Sequence, residues 1–231
     1  MNTPVDIMVV APHPDDAEFG TAGTVAKWTR EGKQVIYIIC TNGDKGTDDL
    51  SIEPEQLIDT RKKEQRAAAE ILGVCDVIFL GYPDLHLEAT PAFVREMVRQ
   101  IRMHRPKTIV TTDPYRRYVW HRDHRVTGQV VLDAVYPLAR NRPSYPELLT
   151  EGLEPHKVEE LLFWATENIN YRSDITDTFD LKLDALSCHA SQLVEFNRTA
   201  LEKRLKARCR QFAEGEDFEF AEAFHREVIA Y

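Results

Sequence analysis

The stretch Ile7-Met8-Val9-Val10-Ala11-Pro12-His13-Pro14-Asp15-Asp16-Ala17-Glu18-Phe19-Gly20 changes character at Pro12, and the fold class follows from that change. Before it lies a short, continuous apolar run, as expected of a strand buried on both faces; after it come prolines and acids, then a helical period over 21–31. The alternation recurs: 35–40 then 55–72, 77–80 then 91–104, 108–112 then 126–135, with a further strand candidate at 161–165. Gly32, Gly73 and Pro106 fall where the first three helices should stop. The pattern predicts an α/β fold: a single-domain, Rossmann-like, doubly wound, mostly parallel sheet with C-terminal helices. Its core spans 5–165. A C-terminal helical part covers 166–231, in which 180–192 and 196–212 read as helices and 218–231 as a helix or a late strand. Two connections, 41–54 and 137–156, are long enough to be expected as lids or substrate walls.

Composition narrows the function classes. The chain has 231 residues, 43% hydrophobic and 29% charged, which excludes a disordered or collagen-like protein. Against 29 Lys plus Arg stand 38 Asp plus Glu, a net charge of -9 that repels phosphate backbones and anionic lipid, so no nucleic-acid or membrane-surface partner is expected. No apolar run approaches the roughly 20 residues of a membrane span, and no leader pattern opens the chain. The four cysteines (Cys40, Cys75, Cys188, Cys209) form no C-x-x-C pair. Reduced thiols and a cytoplasmic location are the expectation.

The loop after the first strand concentrates the chemistry. His13, Asp15, Asp16 and Glu18 lie within six residues, and Pro14 stiffens the turn that carries them. Two adjacent carboxylates leaving one rigid corner suit a division of labour, one binding a cation and the other handling protons. A plain helix cap explains Asp16 or Glu18 alone, but not the histidine together with both aspartates. A second cluster, 113–125, follows the fourth strand and contains His121 and His124, three apart. In the common 3-2-1-4-5 strand order the first and fourth strands are neighbours, and ligands bind beyond their carboxyl ends. A histidine and an aspartate from the first loop would there meet a histidine from the second, leaving one coordination position open, as in catalytic zinc sites. The same donors describe a two-histidine, one-carboxylate iron site, and cobalt or nickel also fit.

With His13-Pro14-Asp15-Asp16 after strand one and His121-Arg122-Asp123-His124 after strand four, the chain resembles the LmbE-like, or PIG-L, family of metal-dependent N-deacetylases. Arg61-Lys62-Lys63-Glu64 leading to Leu72-Gly73 is similar to that family's second helix, and Gly81-Tyr82-Pro83-Asp84 to its loop after strand three. His189-Ala190-Ser191-Gln192 also looks like a family signature, or else like a polar helix face. The resemblance covers about residues 6–130. It implies removal of an acetyl group from an N-acetylglucosamine-type amine, with zinc, or another divalent transition metal, as cofactor. It makes His13, Asp16 and His124 the metal ligands and Asp15 the general base. It makes His121 the group that stabilises the oxyanion or protonates the amine, oriented by Asp123. Arg61 and Asp84 match substrate-holding positions. Where many members place Glu directly after the paired aspartates, Ala17 intervenes here, which leaves the role of Glu18 open. The partner implied is a small N-acetylated amino-sugar conjugate, and the chain leaves room for a homo-oligomer.

Two other readings compete. An iron(II) oxygenase could use His13, Asp15 and His124 as a facial triad. A non-enzymatic nucleotide- or metal-binding module would suit the same fold, although no G-x-G-x-x-G follows the first strand. Trp28 reads as core. Tyr118 and Trp120 could stack on a sugar ring or simply pack.

Overall fold

Every residue of β1 (Ile7–Ala11) is buried, because helices cover both faces of the strand. Met8 and Val10 face one layer and Ile7, Val9 and Ala11 the other, the two-residue alternation of extended chain. The computed structural model describes residues 4–118, 121–193 and 197–229. Around β1 the parallel strands β2 (Val35–Thr41), β3 (Asp76–Tyr82), β4 (Thr108–Thr112) and β5 (Glu160–Trp164) assemble in the order β3-β2-β1-β4-β5. The helices between them are α1 (Asp16–Arg30), α2 (Pro54–Leu72), α3 (Pro91–His104), α4 (Arg122–Asp133) and the short α5 (Glu147–Thr150).

Phe93, Met97 and Ile101 of α3 and Val130 and Val131 of α4 close one face of the sheet. Val25 and Trp28 of α1 and Ala68 and Leu72 of α2 close the other. Each large apolar side chain taken out of water in these layers contributes about 1.5–3 kcal/mol, which is why the central strands β1 and β2 are so nearly apolar throughout. β1 pairs with β4 in register from Ile7↔Thr108 to Val10↔Thr111. The loops leaving their carboxyl ends, at Pro12 and Asp113, therefore lie side by side.

The C-terminal part is not wholly helical. Besides α6 (Phe179–Ser187) and α7 (Arg198–Phe212) it contributes β6 (Tyr171–Asp174) and β7 (Ala221–Val228). β7 is antiparallel to both β5 and β6 and extends the sheet to β5-β7-β6. The free edge of β5 decides between helix and strand for a segment whose own pattern is ambiguous. The expected start of the second C-terminal helix, Phe196, lies outside the described residues. A buried ion pair ties these additions to α1: Lys182 of α6 meets Glu222 of β7 at 2.6 Å. The ammonium also donates to the carbonyls of Glu18 and Phe19, while the carboxylate accepts from the Gly23 and Thr24 N–H groups. Among the described residues no helix is long and apolar enough to cross a membrane.

The long connection 137–156 is a structural brace rather than a substrate wall. Arg102 of α3, 0% exposed, donates to the carbonyls of Leu138, Ala139, Asn141 and Ser144. His156 reaches the carbonyl of Pro106, at the amino end of β4 and away from the paired loops. Arg102→Met should destabilise the protein by about 2–4 kcal/mol, because several carbonyls lose their donor at once. Chemical denaturation checks this. A loss below about 1 kcal/mol would mean that solvent replaces the guanidinium freely.

Candidate metal and catalytic site

The turn after β1 is stiffer than its sequence suggests. Asp15 has φ 105° and ψ -29°, a left-handed conformation that non-glycine residues avoid, and its side chain makes no cap bond to α1. Asp15 thus occupies the N-cap position without capping through its side chain, and Asp16, for which a plain cap was the alternative, is the first residue of the helix itself. The left-handed residue lets α1 begin at Asp16, five positions before the helical period becomes visible, and sends the two neighbouring carboxyls in different directions.

Asp16 Oδ2 is the hub. It lies 2.9 Å from His13 Nδ1 and 3.2 Å from His124 Nε2, and also accepts the His13 backbone N–H at 3.0 Å. His124 comes from the first turn of α4, whose N-cap is His121: the His121 ring Nδ1 accepts the backbone N–H of Asp123 at 3.1 Å. A backbone donor on Nδ1 makes that nitrogen the acceptor, so in the neutral ring the proton sits on Nε2. The three imidazoles are gathered, with ring centroids 4.7 Å (His13 to His121), 5.3 Å (His13 to His124) and 5.4 Å (His121 to His124) apart.

Asp123 does not orient His121 through its carboxylate, as the resemblance implied. That carboxylate is fully buried and accepts from His13 Nε2 at 3.3 Å and from the Leu85 and Leu87 N–H groups at 2.8 and 3.3 Å. Only the backbone of Asp123 serves His121. Asp84, expected to hold substrate, is 5% exposed, and its Oδ1 lies 2.9 Å from the same His13 Nε2. Both carboxylates thus fix one ring nitrogen of His13 and leave Nδ1 toward Asp16. Arg61, the other expected substrate contact, is 3% exposed and donates to the carbonyls of Pro14 (2.6 Å) and Gly43 (3.1 Å), with Asp15 Oδ2 at 3.4 Å. Gly43 has φ +67°, and a Cβ there would lie 2.5 Å from the guanidinium, so the loop after β2 closes on Arg61 only with glycine.

The electrostatics follow from crowding. Burial and the charge of Asp16 push the Asp15 carboxyl up to about 7, with Arg61, His189 and His13 pulling the other way. Burial works against the charge of Asp16 as well, but His124 and His13 hold its carboxyl well below the usual range. Burial also disfavours a charged His13, yet Asp123, Asp16 and Asp84 raise it to about 12. For His121 burial and then the charges of His13 and His124 lower the pKa.

Carboxylates pressed on one imidazole mark a place that asks for a cation. Donors in two groups lie within 4.8 Å of one another: His13, His121 and His124, and His13, Asp84, His121 and Asp123. Asp16 touches His13 and His124 pairwise at 2.9 and 3.2 Å. A tetrahedral zinc ion with bonds of about 2.0–2.1 Å keeps its donors about 3.4 Å apart, so the nitrogen and oxygen set present fits such an ion. A facial triad through Asp15 does not fit as well, because that carboxyl faces Arg61 while Asp16 takes the place between the histidines.

Tyr118 is 91% exposed, and Trp120 lies outside the described residues. A cavity of about 200 Å³ opens beside Asp16 and His124, walled by Phe19, Trp164, Arg116 and Arg208. Sequence reasoning missed Gln65 altogether. It sits on α2 in the buried stripe Leu57, Arg61, Gln65, Ala68, Leu72, and a polar residue in that apolar register was the available signal.

Several known proteins of similar sequence and structure are named deacetylases. The model of the PIG-L, GlcNAc-PI de-N-acetylase, family matches residues 8–135. The diacetylchitobiose deacetylase of Thermococcus kodakarensis is 35% identical over 189 residues, covering 82% of this chain and 70% of the relative. A probable N-acetyl-alpha-D-glucosaminyl L-malate deacetylase 2 of Bacillus anthracis is 29% identical over 193 residues, 80% of each chain. Among solved structures, the N,N'-diacetylchitobiose deacetylase of Pyrococcus horikoshii, bound to an inhibitor, superposes with TM-score 0.90 at 30% identity, covering 96% of this chain and 84% of that one.

Proposed function

The chain belongs to the PIG-L, or GlcNAc-PI de-N-acetylase, family of amide-hydrolysing enzymes, and on that premise we propose that it uses a divalent transition metal, zinc in the first instance, to remove the acetyl group from an N-acetylated amino-sugar conjugate. The observation that carries the reading is Asp16 Oδ2 set between His13 Nδ1 and His124 Nε2, with a second, differently directed carboxyl on the adjacent residue. His13, Asp16 and His124 would hold the ion. When bound, such an ion supplies Lewis acidity at the amide carbonyl and lowers the pKa of water.

The protein's own groups complete the chemistry. Asp15 takes a proton from the attacking water and returns it to the departing nitrogen, so the C–N bond breaks to acetate and a free amine. His121, its Nδ1 occupied by the Asp123 N–H, presents Nε2–H to the developing oxyanion as a neutral donor. Asp84 and Asp123 lock the ring of His13, the role a carboxylate commonly plays behind a ligating imidazole. Arg61 reads as a brace for the Pro14–Asp15 turn rather than a direct substrate contact. The cavity beside Asp16 and His124 provides room for part of the conjugate. A cytoplasmic location belongs to the same reading and is supported by the free state of all four cysteines.

The test is incubation of metal-loaded protein with a panel of N-acetylglucosaminides, including chitobiose, malate and inositol conjugates, with detection of released acetate. At least one should yield equimolar acetate and free amine, with the activity lost to a chelator and restored by a divalent ion. Folded, metal-loaded protein that releases acetate from none of them would overturn the proposal.

A further inference from the structure

Behind Asp15 three polar side chains are sealed from solvent: Glu18 and Gln65, each 0% exposed, and His189, 1% exposed. They come from α1, α2 and the turn after α6, and they join end to end. The backbone N–H of Asp15 donates to Gln65 Oε1 at 3.0 Å, Gln65 Nε2 donates to Glu18 Oε1 at 2.8 Å, and Glu18 Oε2 lies 3.1 Å from His189 Nε2. Each direction is forced. A backbone N–H can meet only the oxygen of the Gln65 amide, which turns its NH2 toward a carboxylate that can only accept, whose second oxygen takes the imidazole N–H.

The bonds end on the one residue of the catalytic turn whose backbone is strained. A non-glycine residue at φ 105° is strained and persists only where its surroundings over-determine it. The far end is clasped as well. Ser191 donates through N and Oγ to the Glu64 carboxylate at 2.8 and 2.6 Å, and Gln192 Nε2 donates to the Gly46 carbonyl at 3.0 Å. The His189–Gln192 stretch is therefore not a solvated polar helix face. Its three polar side chains hold α1, α2 and the loop after β2.

We infer that Glu18, Gln65 and His189 are positioning residues for deacetylation, holding the backbone of Asp15 in its left-handed conformation so that its carboxyl stays apart from the oxygen of Asp16 that the histidines share. This rests on reading Asp15 as the general base. Gln65→Leu, close in volume, removes both the acceptor for Asp15 and the donor to Glu18. It should lower kcat by about 30- to 100-fold, the scale of a small misplacement of a reacting group, with KM within about twofold and one metal ion per chain as in the parent. His189→Ala should lower kcat by about tenfold, and the double variant should be no slower than Gln65→Leu alone, because both act along one path.

Metal content is read by mass spectrometry beside the kinetics. If Gln65→Leu does not fold, His189→Ala carries the test by the same split of kcat from KM. A folded, metal-loaded variant that keeps more than half of the parent kcat overturns the inference, as do additive effects in the double variant or loss of metal in step with activity. Asp15→Asn, measured alongside, separates the two readings. An active Asp15→Asn removes the base and the inference together, whereas an inert Asp15→Asn with a near-parental Gln65→Leu removes the inference alone.

Discussion

Replacing Asp15 by Asn should lower kcat by about 100- to 10,000-fold, the range lost when a positioned proton-transfer group is removed, while the metal content stays that of the parent. The asymmetry between the paired aspartates supports this. Asp16 Oδ2 is engaged by the main chain and ring of His13 and by His124, whereas Asp15 Oδ2 has Arg61 as its charged partner at a longer 3.4 Å. Asn keeps the shape of the side chain and its place in the turn but accepts a proton far less readily. Single-turnover acetate release, with metal analysis on the same sample, is the measurement. An Asp15→Asn protein that retains most of its turnover would assign the proton transfer elsewhere, with His121 the first candidate to try.

Removing Asp16 should have the opposite signature. Asp16→Ala deletes the oxygen on which His13 and His124 converge, so metal affinity should fall by more than the 10- to 100-fold, roughly, that accompanies loss of an outer-sphere partner. Activity should fall to background with it. Because a ligand that binds only the folded state at about 100 times its Kd stabilises by about 2.7 kcal/mol, added zinc should raise the melting temperature of the parent and leave that of Asp16→Ala unmoved. Asp123→Asn is the internal contrast: its carboxylate touches His13 Nε2 rather than Nδ1, so a weakened but measurable zinc shift is expected. Should Asp16→Ala still bind zinc as the parent does, the ion must sit in the other group of donors, around His121, Asp84 and Asp123.

Much of this was legible along the chain. The alternation of apolar runs and helical periods placed β1 to β5, and the density of His and Asp after β1 and β4 pointed to one sheet edge, where the parallel pairing of Ile7 with Thr108 brings those loops together. The differences between sequence and structure share one cause. The resemblance made Asp123 the orienting partner of its near neighbour His121, but its carboxylate turns to His13, 110 positions earlier. The resemblance put Asp84 and Arg61 at substrate-holding positions, whereas packing buries both side chains on protein groups. Loop 137–156 was long enough to be a lid, but Arg102 ties it to α3.

Glu18 shows the division most clearly. Its place near a helix start is a local fact, compatible with a cap, whereas its partners Gln65 and His189 stand 47 and 171 residues away. Backbone propensity, apolar periodicity and the clustering of ionisable residues act over a few neighbouring positions, so secondary structure, sheet order and the location of the chemistry can be read from them. The direction each buried polar group takes answers to a different demand: inside the protein every donor and acceptor must find a partner, and which partner is within reach is settled only when distant elements pack.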